Sequence, residues 1–195
     1  VFAATEIEWH SSLSFAPPSN YVVQQVKNAD LVLTGTPALD GSNTSQTIAS
    51  SLVMNSGRPI IIVPEPTATA SLDRIMVAWR NTPESRRAVL GALPLLQRAA
   101  EVTLVEVASD EGLPAARQEL ADTSHWLAEH GITTKIISAR ALDDVGEQLV
   151  TLAHDIGANL IVAGAYGHSR LREWAFGGVT RYILQRADGC VLLSH

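Results

Sequence analysis

The sequence predicts an α/β protein: one complete unit built on an open parallel five-stranded sheet, preceded by a partial repeat of the same unit. Three observations lead there. Short runs rich in Val, Ile and Leu alternate with segments of helical periodicity, the pattern of parallel strands covered on both faces. Two of these runs, Ala29-Asp-Leu-Val-Leu-Thr-Gly35 and Ala158-Asn-Leu-Ile-Val-Ala-Gly164, match position for position. Each is followed by a helical segment and then by a second apolar run, Pro59-Ile-Ile-Ile-Val63 and Cys190-Val-Leu-Leu-Ser194.

Taken in order, 5–9 alternates as a strand. Pro17 and Pro18 interrupt the chain, and Ser19 or Asn20 can cap a helix through 21–27. Residues 30–34 form a strand ending at Gly35. The polar run 41–46 is a loop and cap for a helix carrying Ile48, Leu52 and Val53, stopped by Gly57. Strand 59–63 closes at Pro64. A new unit starts at Leu72 with strand 74–79. Thr82 caps the next helix, with Pro83 at its first position and Glu84 in its first turn. Ala88, Val89, Ala92, Leu93 and Leu96 form its buried stripe, and Pro94 should bend it. Strand 102–107 follows, then an amphipathic helix over 114–130 with Leu120, Trp126 and Leu127 inward and Gly131 at its end. After strand 133–138, Asp143 or Asp144 caps a helix carrying Val145, Leu149, Leu152 and Ala153, ended by Gly157. Strand 159–163, a glycine-bearing loop, helix 178–186 and strand 190–194 complete the chain. The expected organisation is therefore a partial domain over 1–64, a linker over 65–71 and a complete domain over 72–195. The partial unit has three strand candidates against five, so its faces and edges should take cover from the complete unit or from another chain.

Composition narrows the function. The formal net charge of −6 leaves no basic excess for general nucleic-acid binding. No apolar run approaches the roughly 20 residues that cross a bilayer, so no membrane association is expected. Cys190 is the one thiol, which excludes an internal disulfide framework, fits a reducing cytosol and reads as a buried strand residue. The chain starts at Val1 without a charged segment and apolar core behind it; no secretion signal is expected, and this start is not expected to be the natural N-terminus.

The most specific stretch is Gly164-Ala-Tyr-Gly-His-Ser-Arg-Leu-Arg-Glu-Trp-Ala-Phe-Gly-Gly-Val-Thr180. It links a buried strand to a helix start, where unpaired backbone N–H groups and the helix dipole favour an anion. Its glycines would let the backbone approach a phosphate, although glycines also serve tight turns and helix–sheet packing. Arg170, Arg172 and Arg181 read either as helpers of an anion or as solvated surface groups. His168 reads as a phosphate contact or an exposed loop residue. Trp174 and Phe176 read as a lid over ligand or as packing against a partner subunit. The P-loop pattern is absent. His125, His130 and His154 lack the spacing of a zinc site. No general base pairs with a nucleophile, so the chain does not read as an enzyme.

The spacing Gly-x2-Gly-x9-Gly of Gly164, Gly167 and Gly177 resembles the motif of the universal stress protein family, and the repeat resembles its tandem-domain form. The resemblance covers essentially the whole chain and implies a Rossmann-like sheet of the adenine nucleotide alpha hydrolase-like type. In family members that bind ATP this loop holds the phosphates and ribose. That implies cofactor-binding roles for Gly164, Gly167, His168, Gly177, Gly178 and Thr180, with ATP or AMP as the nucleotide. Two positions depart from the family pattern. Gly178 stands where Ser or Thr is usual, keeping the N–H but losing a hydroxyl contact of about 1 kcal/mol. ATP-binding members end the first strand of the domain with Asp; Ile75-Met-Val-Ala-Trp-Arg-Asn81 places Arg80 there, and Arg carries donors only. The segment Gly35-Thr-Pro-Ala-Leu-Asp-Gly41 lacks the long glycine spacing and reads as a non-binding copy. The expected function is a stress-response or regulatory module that works through dimerisation and an unidentified protein partner, with weak or absent nucleotide binding. The alternative is an ATP or AMP switch on the 164–180 loop. Related dimers imply that edge strands 59–63 and 190–194 pair with each other or across a homodimer.

Overall fold

The structure of the protein, a computed structural model, describes residues 8, 9, 11, 18–35, 43–64, 71–165, 167 and 178–195. Its elements are α1 (Pro18–Gln25) with a 3₁₀ turn behind it, β1 (Val32–Gly35), α2 (Asn43–Asn55) and β2 (Ile60–Val63). Then come β3 (Arg74–Ala78), α3 (Pro83–Leu96), β4 (Glu101–Ala108), α4 (Leu113–Glu129) and β5 (Thr134–Arg140). The chain ends with α5 (Val145–Asp155), β6 (Leu160–Gly164), α6 (Gly178–Arg186) and β7 (Cys190–Ser194). Of the strand expected over 5–9, three residues lie outside the described ones; Glu8 and Trp9 are not in a strand, and Trp9 is exposed.

All seven strands form one sheet in the order β1-β2-β7-β6-β3-β4-β5. Strands β3 to β7 are parallel throughout, in the third-second-first-fourth-fifth order of an open α/β unit. The expected five-stranded parallel sheet is extended to seven strands, and of the two pairings expected for 59–63 and 190–194 the one within the chain is present. β2 runs antiparallel to β7 within the chain, with Ile60 opposite Leu193, Ile61 opposite Leu192 and Ile62 opposite Val191. The cause is physical: each strand is apolar on both faces and terminal in its own unit, and an unpaired edge leaves a row of backbone groups without partners. Joined edge to edge, both strands become interior.

Two apolar clusters sandwich the sheet. On one face Leu52, Val53, Leu149, Ala153 and Ile183, from α2, α5 and α6, pack on Ile60, Ile62, Met76, Ile161 and Leu193. On the other, Ala88, Val89, Ala92, Leu96, Leu120 and Leu127, from α3 and α4, pack on Ile61, Ile75, Val77, Leu104 and Leu192. The alternation along β3, with Met76 facing one way and Ile75 and Val77 the other, is the period of a strand buried on both sides. Among the described residues no helix is long and apolar enough to cross a membrane.

The helix ends follow local chemistry. Thr82 Oγ1 accepts from Ser85 N at 3.3 Å, and Pro83 occupies the first turn of α3. Asp144, rather than Asp143, caps α5, its Oδ1 accepting from Gly146 N at 2.7 Å and Glu147 N at 3.1 Å. Gly57, Gly131 and Gly157, just after α2, α4 and α5, have positive φ. Pro94 lies inside α3 near its end, and the helix continues to Leu96.

Helix α3 also reaches across the junction. A Cβ on Gly91 would stand 2.9 Å from the Pro59 ring, so α3 lies directly on the start of β2. Ile61 is buried in the cluster that α3 builds, whereas Leu33 on the edge strand β1 remains 65% exposed. Cover is thus complete at Ile61 of β2 and lacking at Leu33 of β1. Ile61→Ala should therefore cost about 2–4 kcal/mol, and Leu33→Ala less than about 0.5 kcal/mol, read as shifts in the urea midpoint.

Candidate functional site

Open α/β sheets bind ligands at the carboxyl ends of the strands where the crossover direction reverses. Here β3 connects outward to β4, while β6 is reached by crossing back past β4 and β3. The reversal between β3 and β6 brings residues 79–82 and the glycine loop to the same end of the sheet. Of the loop residues expected to bind, Gly164, Gly167, Gly178 and Thr180 are described. His168 and Gly177 lie outside the described residues, as do Arg170, Arg172, Trp174 and Phe176.

Gly164 ends β6 against the N-terminus of α3. A Cβ there would fall 2.5 Å from Ser85 N and 2.7 Å from the Glu84 carbonyl carbon. The glycine is required by the seating of a helix on the sheet. Gly167 is exposed, and a Cβ on it would meet Glu84 Oε2 at 2.7 Å. Gly178 begins α6 in open space, with nothing within 4 Å of where a Cβ would be. Thr180 is buried in the first turn of α6, and Arg181 beside it is exposed.

The group nearest Gly167 is a carboxylate. The side chain of Glu84 is 12% exposed, and its Oε1 pairs with Arg87 Nη2 at 3.1 Å. Oε2 is buried and has no hydrogen-bond partner among the described residues. Burial pulls the carboxyl upward, but its own backbone amide, the nearby Thr82 hydroxyl and the charges of Arg87 and His195 outweigh this and hold it below the ordinary carboxylate range. Arg87 Nε donates to the His195 carbonyl at 2.8 Å, and His195 Nδ1 lies 3.1 Å from the Ala165 carbonyl. This network ties the N-terminus of α3 to the end of β7 and the start of the loop. Among the described residues, the groups at Gly164 and Gly167 do not fit an incoming phosphate: one glycine is packed against backbone, and the other faces a charged carboxylate.

On the β4 side, Arg80 is exposed and its charge acts on Glu106. Glu106 is 8% exposed, and its Oε2 also lacks a hydrogen-bond partner. Burial, and then the charge of Glu119, raise its carboxyl to about 7 against the pull of Arg80. Sequence reasoning passed over this residue; the available signal was a charged position inside the apolar run Val102-Thr-Leu-Val-Glu-Val107. Trp79, immediately before Arg80, buries Nε1 without a partner. Cys190 is a buried strand residue, as expected, and burial raises its thiol. The other described histidines make local contacts: His125 with Glu129 at 3.8 Å, His130 Nδ1 with the Trp126 carbonyl at 2.9 Å, and His154 with Asp155 at 3.8 Å.

The model of the universal stress protein family matches residues 71–195. A universal stress protein from Archaeoglobus fulgidus DSM 4304 is similar in structure, with a TM-score of 0.72 at 17% identity over 91% of this chain and 64% of that one. The chain thus spans less than two thirds of that protein's length. A universal stress protein from Archaeoglobus fulgidus in complex with dAMP matches with a TM-score of 0.50 at 17% identity, covering 64% of this chain and 98% of that one. A universal stress protein in complex with cAMP matches with a TM-score of 0.52 at 21% identity, covering 65% and 98%. No curated protein matches the chain significantly.

The raised carboxyl of Glu106 has a measurable consequence. Its proton is held in the folded state up to about 7, whereas the unfolded carboxyl gives it up near 4.5. The contribution is full below the unfolded value and is lost as pH rises through the folded one. Wild-type stability should therefore fall between about pH 4.5 and 7 on this account, by about 1–3 kcal/mol. Glu106→Gln should flatten that slope and be the more stable protein at pH 8, as read by chemical denaturation across the range.

Proposed function

The chain belongs to the universal stress protein family, and from that premise we propose that it is a cytoplasmic stress-response or regulatory module. It works through protein association and binds nucleotide weakly or not at all. The observation that carries this reading is the Glu84 carboxylate at Gly167, held ionised where a phosphate would approach. Like charges at that separation in a partly buried site disfavour each other by more than one neutral hydrogen bond contributes. Arg80 and Gly178 act in the same direction, since neither supplies the acceptor or hydroxyl that ATP-binding members resemble one another in having. The proposed role is not enzymatic, since no acid–base pair stands beside Gly164 or Gly167 among the described residues.

Association is proposed in the form of a homodimer through 59–63 and 190–194. These two strands pair within the chain, so the dimer would exchange them between copies, each β2 lying on the other copy's β7. The exposed Leu33 on β1, the outer strand among the described residues, adds a second apolar surface beside β2. The competing reading, an ATP or AMP switch on Gly164, Gly167, His168, Gly177, Gly178 and Thr180, draws on the relatives crystallised with dAMP and cAMP.

Calorimetric titration of the purified protein with ATP and with AMP separates the two readings. Absence of heat at about 1 mM nucleotide is the expected result, and dissociation constants of about 10 μM or lower would establish the switch instead. Light scattering on the same sample should return twice the mass of the chain; a monodisperse monomer would remove the homodimer.

A further inference from the structure

Trp79 Nε1 and Glu106 Oε2 are buried on neighbouring strands, and neither has a hydrogen-bond partner among the described residues. The register of β3 on β4 runs to Ala78 opposite Val105, and Trp79 N continues the ladder by donating to the Val105 carbonyl at 2.8 Å. Trp79 and Glu106 are therefore the next facing pair. Both lie on the side of Ile75, Val77, Val102 and Leu104, since the alternating Met76 and Val105 belong to the opposite cluster.

One of these atoms is a donor and the other an acceptor, and each is unfavourable while unpaired. The charge on Glu106 decides how strongly they need each other. From α4, Glu119 acts on Glu106 as a like charge, and Asp122 stands one turn further along the same helix. Arg117, also on α4, donates from Nε to Ser138 Oγ at 3.2 Å, and Ser138 is the residue of β5 opposite Glu106. From α3, Arg86 Nη1 donates to Asn81 Oδ1 at 2.9 Å. Arg140 of β5 pairs with Asp110 at 3.0 Å, and Arg80, just after β3, is exposed. Burial and Glu119 outweigh Arg80, so Glu106 holds its proton up to about 7. When that proton leaves, the buried oxygen carries charge beside a like-charged neighbour, and the buried donor across from it is the indole N–H.

We propose that Trp79 and Glu106 form a proton-governed latch in the wall of the cavity between α3 and α4. While Glu106 keeps its proton, indole and carboxyl stay unpaired, as they are in this structure. Once the proton has passed to solvent, the carboxylate accepts from Trp79 Nε1–H. A hydrogen bond to an ionised acceptor is roughly twice as strong as a neutral one, which offsets the cost of moving a packed ring. The indole walls the cavity together with Val89, Leu90 and Trp126, so its turn toward β4 reshapes that cavity. The latch involves neither the glycine loop nor the dimer, and it stands or falls separately from the proposed function.

The test follows the indole N–H signals of the four tryptophans by nitrogen-15 proton correlation from about pH 5 to 9, with Trp79→Phe identifying the Trp79 signal. The Trp79 proton should move downfield along one titration curve centred at about pH 7, where Glu106 ionises. Glu106→Gln should abolish that movement. Removing the donor should in turn make Glu106 hold its proton more tightly. In Trp79→Phe the carboxyl-carbon signal of Glu106, assigned by its loss in Glu106→Gln, should report a proton affinity about threefold or more higher. If Trp79→Phe does not fold, the Trp79 signal is identified by its contacts with β4, and the wild type and Glu106→Gln carry the test. The inference is overturned if the Trp79 signal is independent of pH or moves upfield, or if its movement persists in Glu106→Gln. It is also overturned if Glu106 titrates at the same pH in Trp79→Phe, because Arg80 or entering water would then meet the charge.

Discussion

Helix α3 is seated at two places where no side chain could stand. At its N-terminus Gly164 lets the backbone of Glu84 and Ser85 come down on the end of β6, and in its middle Gly91 lets the helix lie on Pro59. Those two approaches make one body of what the sequence presents as a complete unit and a partial one. The antiparallel pairing of β2 with β7 joins the strands in the plane, and Ile61 of β2 is buried in the same apolar cluster as Ala88, Val89 and Ala92 of α3. Small residues along the helix, at Ala88, Gly91 and Ala92, are what permit a backbone-to-sheet distance that larger side chains would prevent.

The same seating determines the chemistry at the end of the sheet. A helix N-terminus favours a negative charge, and in this chain the first turn supplies its own, Glu84. That carboxylate is packed against Gly167 and paired with Arg87. The glycine spacing of the loop is preserved, while the two glycines that can be placed beside α3 serve helix seating and carboxylate contact. On the other side of α3 the charges are also acidic, with Glu106 kept near neutrality by burial and Glu119 beside it. One helix therefore lies between Gly167, which faces a carboxylate, and an apolar cavity lined by Glu119 and Asp122.

Much of the architecture could be read from periodicity and caps. Thr82 with Pro83, Asp144, and the glycines after α2, α4 and α5 are local signals, because each depends on backbone groups within a few residues. The matched runs at 29–35 and 158–164 each contain a strand, β1 and β6. The joining of β2 to β7 was reached through the resemblance to related dimers and not through local pattern, since an apolar strand has the same composition whether it ends a sheet or continues one. The role of Gly164 was hidden for a related reason: a glycine that admits a phosphate and one that admits a helix are the same letter. Glu84 was legible as a favourable first-turn charge, but its contact with Gly167 depends on a fold-back of about eighty residues. Glu106 and the orphan indole of Trp79 acquire meaning only from burial, which a sequence run does not report.

Replacing Glu84 with Gln keeps the shape of the first turn and removes only the charge facing Gly167, so comparing ATP titrations of Glu84→Gln and the wild type isolates the effect of that carboxylate. If the carboxylate closes the loop to phosphate, the variant should gain at least about tenfold in ATP affinity over the wild type, in the direction of removing one close like-charge contact. Equal affinity in the two proteins, or low-micromolar binding already in the wild type, would contradict it.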